Sequence, residues 1–250
     1  MSTIEPFQSD PPRAIAAPVG RPLGYQRWRG LAFLHWPVPE AALRPLVPAG
    51  LTLDTWDGMA WVGVVPFSME GVRPIRLWPE AVAFRFLETN VRTYVRHQGE
   101  PGVWFFSLEA ASWLAVQGAR IGWGLPYHHA RMARSTVDGE ERYTTRRRRG
   151  GAHLALAWRV TEPLGPSLPG SREHFFLERY LLFCQHRGHL WRGQVHHPPY
   201  PVWGAEVTHC EESLLAAAGL PPAQGLPVLA HASPGVDVDI HALRRLPEKS

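Results

Sequence analysis

Residues 87–97, LETNVRTYVRH, alternate as a strand does. Leu87, Thr89, Val91, Thr93 and Val95 share one face; Phe86, Glu88, Asn90, Arg92 and Tyr94 share the other. The β-branched face belongs against a packed core. The Glu-Asn-Arg-Tyr face is either solvent surface or the polar lining of a pocket. GVWFFSLEA (102–110) follows across QGEP and predicts a hairpin. LTLDTW and MAWVGVVPFSM flank Asp57-Gly58, a two-residue hairpin signal. YHHARMAR and ERYTTRRRR flank VDGE in the same way.

Further strands are predicted at AHLALAWRV (152–160), at RYLLFCQH and HLWRGQVHH across Arg187-Gly188, at PVWGAEVTH and at VDVDIHALRR. Four helices are predicted. One runs from Glu40 to Leu46 before Pro48 and Gly50, and one lies over 112–124, stopped by Gly124 and Pro126. A third starts at Ser171 with Glu173 in its first turn, and the fourth lies near Glu211 to Ala218. With no long linker and no internal repeat, the pattern predicts one mainly antiparallel β domain over 21–250, a barrel or strongly curved sheet. The Pro- and Ala-rich residues 1–20 read as a poorly ordered lead-in.

Composition narrows the chemistry. Of 26 basic residues only Lys249 is a lysine, next to the last residue of a 250-residue chain. Covalent catalysis by a lysine amine is therefore close to excluded. Two cysteines, Cys184 and Cys210, make neither a disulfide framework nor a zinc pattern. The N-terminal residues carry no secretory pattern, and no window reaches the length of a membrane span. The expectation is a cytoplasmic protein with no membrane association and no cofactor.

GLPYHHARM (124–132) places Tyr127, His128 and His129 together after a Gly-Pro turn. Neighbours on a strand point to opposite faces, so at most one of the two histidines joins a given site. The same holds for His196 and His197. A metal site would need one histidine from each pair plus a third ligand such as Glu88 or His35, and the spacing does not demand it. His35 beside Trp36 reads as a satisfied core histidine. RRRRG (146–150) alternates faces without an aromatic platform and reads as a solvated hairpin arm, not a nucleic-acid surface. Phosphate loops and nucleophile elbows are absent.

Together LAFLHWPVPEAALRPLVPAGLTLDTWDGMAWVGVVPF, ETNVRTYVR, PGVWFFSLEAAS, GLPYHHARM, PGSREHFFLERY and GQVHHPPYP resemble the YqjF-like family of uncharacterised bacterial proteins, from about Trp28 to Arg245. That family is distantly similar to acetoacetate decarboxylase. The resemblance implies a cone-shaped, closed antiparallel β-barrel with peripheral helices, and a homo-oligomer. Acetoacetate decarboxylases carry Gly-x-Pro-Lys-Lys, whose first lysine forms a Schiff base and whose second lowers its pKa. Laid on this chain the motif matches Gly124, Leu125 and Pro126, with Tyr127 and His128 in the lysine positions; a one-residue slip would put His129 in the second.

A tyrosine cannot form an iminium, so what the resemblance leaves is a pocket. Glu88 is the expected barrel glutamate and a candidate general base. Arg92 or Arg29 would clamp a carboxylate, with Asn90 and His129 as further binding groups. Tyr127 and His128 would donate hydrogen bonds to a developing enolate or alkoxide. Two readings follow: a non-covalent lyase, hydratase or isomerase acting on a small oxo or hydroxy acid, or a barrel that only binds such a ligand. A third alternative is structural, with Tyr127 and His128 plugging the barrel.

Overall fold

A computed structural model describes residue 18, residues 20–73 and residues 83–247 of the chain. Most of the N-terminal lead-in, and Lys249, lie outside these described residues. The strands are β1 (Gly24–Val38), β2 (Thr52–Leu53), β3 (Ala60–Arg73), β4 (Phe84–His97), β5 (Glu100–Ala110), β6 (Tyr127–Val137) and β7 (Glu140–Arg147). They continue as β8 (His153–Pro166), β9 (Leu181–His186), β10 (His189–His196), β11 (Pro201–Glu212), β12 (Leu229–Ile240) and β13 (Arg244–Arg245). Helices are few and short: α1 (Glu40–Leu43), α2 (Trp113–Trp123), α3 (Arg172–Leu177) and α4 (Leu214–Ala217).

Local chemistry sets the turns. Gln98-Gly99, Asp138-Gly139 and Arg187-Gly188 each have positive φ at both residues, as a tight hairpin requires. The β4–β5 turn is thus Gln98-Gly99, and Glu100 and Pro101 already belong to β5. Asp57-Gly58 adopts the same conformation, yet it closes only an isolated bridge between Trp56 and Met59. The preceding segment, β2, pairs with β4 and not with β3 as the sequence pattern suggested. The cause is Asp54. Its buried carboxylate accepts from Arg96 Nε and from an Arg179 NH group, both at 2.7 Å, and its N–H donates to the Tyr94 carbonyl. Those contacts hold the chain on β4.

Strands β12, β1, β3, β4 and β5 lie side by side in that order. At its far ends this central sheet forks. The free edge of β5 pairs with β9 at Val103–Trp104 and with β6 at Leu108–Ala110. The free edge of β12 pairs with β11 near Ala232 and with β10 near Ile240. One hydrogen-bonded circuit returns through β6, β7, β8 and β11; the other returns through β9 and β10.

Each face of the central sheet therefore meets its own core. Phe33, Phe67, Tyr94, Leu108 and Tyr127 pack with α3, β9 and β10 residues such as Phe176, Cys184 and Val195. Leu34, Val62, Val64 and Val91 pack with Tyr143, Leu154 and Trp158 from β7 and β8. As a result β4 is buried continuously from Glu88 to Val95, on both faces.

The fork at β5 depends on Gly102, which is squeezed between β4 and β9. A Cβ there would lie 2.7 Å from the Leu181 carbonyl oxygen and from the Phe183 ring. Gly102→Ala should destabilise the fold by about 1–3 kcal/mol through overpacking. The measurement is the denaturant midpoint at unchanged m-value.

Candidate functional site

The site begins at the end of α2. Ser112 caps the helix N-terminus, its Oγ accepting from Ala115 N at 3.3 Å, and Gly124 ends it in the left-handed region at φ +63°. No other residue fits position 124 easily, because a Cβ would lie 2.6 Å from the His186 ring. The chain then enters β6, held by Leu108 N donating to the Pro126 carbonyl and Arg120 Nε donating to the Tyr127 carbonyl.

Register decides which side chains meet. Across β4, β5 and β6 the opposed rows are Asn90–Leu108–Tyr127, Glu88–Ala110–His129 and Thr89–Glu109–His128. Directly opposed residues share a face, so Glu88, Asn90, Tyr127 and His129 lie on one side of the sheet and His128 on the other. Tyr127 reaches diagonally across β5, over the small Ala110, and its hydroxyl donates to Glu88 Oε2 at 3.0 Å. Glu88 is 2 % exposed.

Burial governs this pair. Desolvation raises the Glu88 pKa to about 8, with Glu109 adding to the rise while the Tyr127 hydrogen bond opposes it. The Tyr127 phenol is pushed well above its ordinary range, first by burial and then by Glu88. At neutral pH the pair is a protonated carboxyl beside a protonated phenol.

Two and four residues along the same face lie Asn90 and Arg92. Arg92 is 8 % exposed, and its guanidinium stacks over Phe33 at 5.6 Å and Tyr94 at 5.7 Å. One NH group donates to the Phe176 carbonyl at 2.9 Å, whereas Nε has no partner and no carboxylate pairs with it among the described residues. Asn90 Oδ1 is likewise buried without a partner. Tyr94 donates to the Phe176 carbonyl at 3.2 Å and lies 2.6 Å from His35 Nε2. His35 is thus satisfied on one nitrogen only, since Nδ1 is buried unpaired.

The remaining predicted residues go elsewhere. His128 sits beside the Glu109–Arg147 ion pair, and burial together with Arg147 and Arg120 lowers its pKa to about 4. It is a neutral group on the far side of the sheet from Glu88, so the pairing of His128 with Tyr127 in one site is corrected. His129 is half-buried on the Tyr127 face, roughly 10 Å from Glu88 across Ala110, two strand spacings. Arg29 is also corrected: it ion-pairs with the exposed Asp237 and donates to the Val236 carbonyl at 2.8 Å, away from Arg92. Among the described residues no group of three or more His, Cys, Asp or Glu is arranged to hold a metal ion.

Two features escaped the sequence reading. Arg147, in the run expected to be a solvated arm, donates to Glu109 Oε1 at 2.6 and 2.9 Å inside the second core. Alternation along β7 was the available signal, since Tyr143, Thr145 and Arg147 share the buried face. His197 is the other. It is 3 % exposed and lines a cleft of about 260 Å³ together with Arg27, Arg73 and His196. No signal in the sequence separated it from His196.

Comparison with known proteins fits this geometry. Residues 25–237 match the DUF2071 family, described as uncharacterized conserved protein (COG2071). The uncharacterized protein YqjF of Bacillus subtilis (strain 168) is 34% identical over 219 residues, which cover 87% of this chain and 90% of that one. Among solved structures, the enduracididine biosynthesis enzyme MppR complexed with pyruvate superposes with a TM-score of 0.66 at 13% identity, covering 93% of both chains. Acetoacetate decarboxylase from Legionella pneumophila gives 0.63 at 12% identity, covering 94% of both chains. The fold is that of the acetoacetate-decarboxylase-like proteins, and the chain belongs to the DUF2071 family.

Proposed function

We propose that this protein binds a small carboxylic acid inside a closed, cone-shaped β-barrel and acts on it as a non-covalent lyase, hydratase or isomerase. The observation that carries the reading is a buried guanidinium with no carboxylate partner, Arg92, on the same face as the neutral Glu88–Tyr127 pair. An unpaired buried cation is costly, and a ligand carboxylate relieves that cost. That MppR is complexed with pyruvate supports a small acid as the ligand class.

The chemistry follows from what stands in the site. With Tyr127 following Gly-Leu-Pro and no lysine among the described residues, the chemistry of this site rests on proton transfer and hydrogen bonding. Glu88, protonated up to about pH 8, acts as general acid in that form and as general base once it has given up its proton. Tyr127, held by Glu88, is the donor to an oxygen that gains negative charge. Arg92 fixes the carboxylate and Asn90 supplies an acceptor beside it. Binding without turnover is the second reading. It is favoured by the Tyr127 hydroxyl being committed to Glu88 already.

The deciding experiment is turnover of small oxo and hydroxy acids, followed by proton NMR. Glu88→Gln keeps a neutral, hydrogen-bonding side chain but cannot transfer a proton. It should abolish turnover while leaving the thermal melt intact, and unchanged turnover would remove Glu88 from the mechanism. If no acid is turned over yet pyruvate binds, the binding reading stands.

Arg92→Met should weaken pyruvate binding by about ten- to a hundredfold, the worth of a hydrogen bond to a charged group, as read by calorimetry. A fully retained affinity would move the carboxylate site elsewhere.

The pH dependence of stability also has a definite sign. The folded protein keeps the Glu88 proton up to about pH 8, whereas the unfolded chain releases it in the ordinary carboxylate range. Native protein binds the extra proton between those limits, so stability relative to Glu88→Gln should fall as pH rises through that window. Above about pH 8 the difference should level off. Parallel urea titrations of both proteins measure it, and a flat difference would mean Glu88 ionises normally.

A further inference from the structure

We propose that the surface cleft bordered by Arg73, Asp239 and His197 binds a free α-amino acid, its carboxylate at Arg73 and its ammonium group at Asp239 and His197. This site goes beyond the reading given for Glu88 and Arg92, neither of which lines the cleft.

Strand register builds the cleft. Tyr25 of β1 is opposed to Arg73 of β3 on one side and to Asp239 of β12 on the other, and Asp239 is opposed in turn to His196 of β10. The four form one cross-strand row, and opposed residues share a face. The register of β1 on β3 slips beside this row, where Gly71 has φ +59°. A Cβ at 71 would lie 2.9 Å from Arg27 Nε, so only glycine lets Arg27 lie against β3 there. Tyr25, Arg27, Arg73, His196, His197 and Asp239 all border the same space of about 260 Å³. Drug-sized ligands usually take about 300–1,000 Å³, so this space suits a smaller molecule.

The walls carry both signs of charge. The Arg73 guanidinium lies over the Tyr25 ring, 5.8 Å from the centroid, and its Nε is buried with no partner among the described residues. Asp239 stands on the next strand, roughly 5 Å beyond Tyr25. The other carboxylate of that wall, Asp237, already pairs with Arg29, whereas Asp239 has no ion-pair partner among the described residues.

His197 supplies the third group and is 3 % exposed. Its Nδ1 lies 2.9 Å from the Pro198 carbonyl oxygen, which can only accept, and burial favours the neutral ring. Nδ1 therefore carries the hydrogen, and Nε2 is left as a bare lone pair. That nitrogen is buried without a partner among the described residues.

A cation, a carboxylate and a lone pair around one small space disfavour simpler ligands. A phosphate or a dicarboxylate meets the Asp239 charge. A simple amine leaves Arg73 Nε unpaired, and a simple carboxylate gives His197 no donor, the situations that buried polar groups avoid. An α-amino acid carries its anion and its N–H-rich cation on one carbon, and so answers all three groups.

The test is calorimetry at pH 7 with three ligands cut from one skeleton: L-valine, isovalerate, which lacks the ammonium group, and isobutylamine, which lacks the carboxylate. L-valine should bind about ten- to a hundredfold more tightly than either, the worth of a hydrogen bond to a charged group. Asp239→Asn should erase the advantage over isovalerate, and Arg73→Met the advantage over isobutylamine. No binding of valine, or valine bound no better than isovalerate or isobutylamine, would overturn the proposal. That comparison uses the wild-type protein and decides the matter even if a variant fails to fold. Valine binding untouched by both substitutions would also overturn it, by placing the ligand elsewhere. Pyruvate binding, the readout for Arg92, should be the same in both variants as in the wild type; its absence from all three would overturn the carboxylate reading at Arg92 and leave this site standing.

Discussion

Strand β4 is hydrogen-bonded to β3 along one edge and to β5 along the other, and it is packed on both faces. Every polar side chain it carries between Glu88 and Thr93 must therefore find its partner inside the protein or in a ligand. Leaving such a group unpaired costs about 1–3 kcal/mol. On the face towards β7 and β8 the demand is met internally: Thr89 bonds to Thr145 at 2.9 Å, and Thr93 donates to the Trp61 carbonyl at 2.7 Å. On the opposite face it is met only in part. Glu88 has Tyr127, and Arg92 has the Phe176 carbonyl, but Asn90 Oδ1 and Arg92 Nε are left over. Within β4 the leftover groups thus lie on one face, while on the other face the neighbouring strand β5 leaves Ser107 Oγ and Glu109 Oε2 unpaired among the described residues.

The same double burial explains why the two carboxylates of this region behave differently. Glu109 is one strand away from Glu88 on the opposite face and is fully buried, yet Arg147 bonds to it twice. Burial raises its pKa while Arg147 pulls it down. Glu88 has a phenol for a partner instead of a cation, so desolvation dominates and its proton stays on into mild alkali. The neighbouring Glu109 charge also disfavours ionisation of Glu88, which reinforces its neutral state. A cation stands beside one carboxylate and a phenol beside the other, and that difference in partners is what sets the two apart.

Ala110 and Gly124 are small for reasons that belong to this arrangement. Ala110 lies between Glu88 and His129 in the cross-strand row and is the residue over which Tyr127 passes. Gly124 lets the end of α2 lie against His186, and that contact aims the first residue of β6 at the interior. Neither residue carries chemistry. Both set where the Tyr127 side chain lies.

Much of this was legible in the amino-acid order. Alternation over 87–97 put Glu88, Asn90 and Arg92 on one face, the QGEP and VDGE segments and the Arg187-Gly188 pair marked the hairpins, and the 112–124 segment with its closing Gly124 marked α2. These features depend on side-chain period and on backbone sterics within a few residues, so they are written locally. Tertiary structure decided the rest. Whether β2 joins β3 or β4 depends on Arg179, 125 residues from Asp54. Which of His128 and His129 shares a face with Glu88 depends on the register of β6 on β5. Arg29 and Arg147 exchange their expected places, surface for interior, because Asp237 and Glu109 are brought to them by distant strands. Period 2 tells which residues of a strand lie together; only the pairing of strands far apart in the chain tells what that face looks upon.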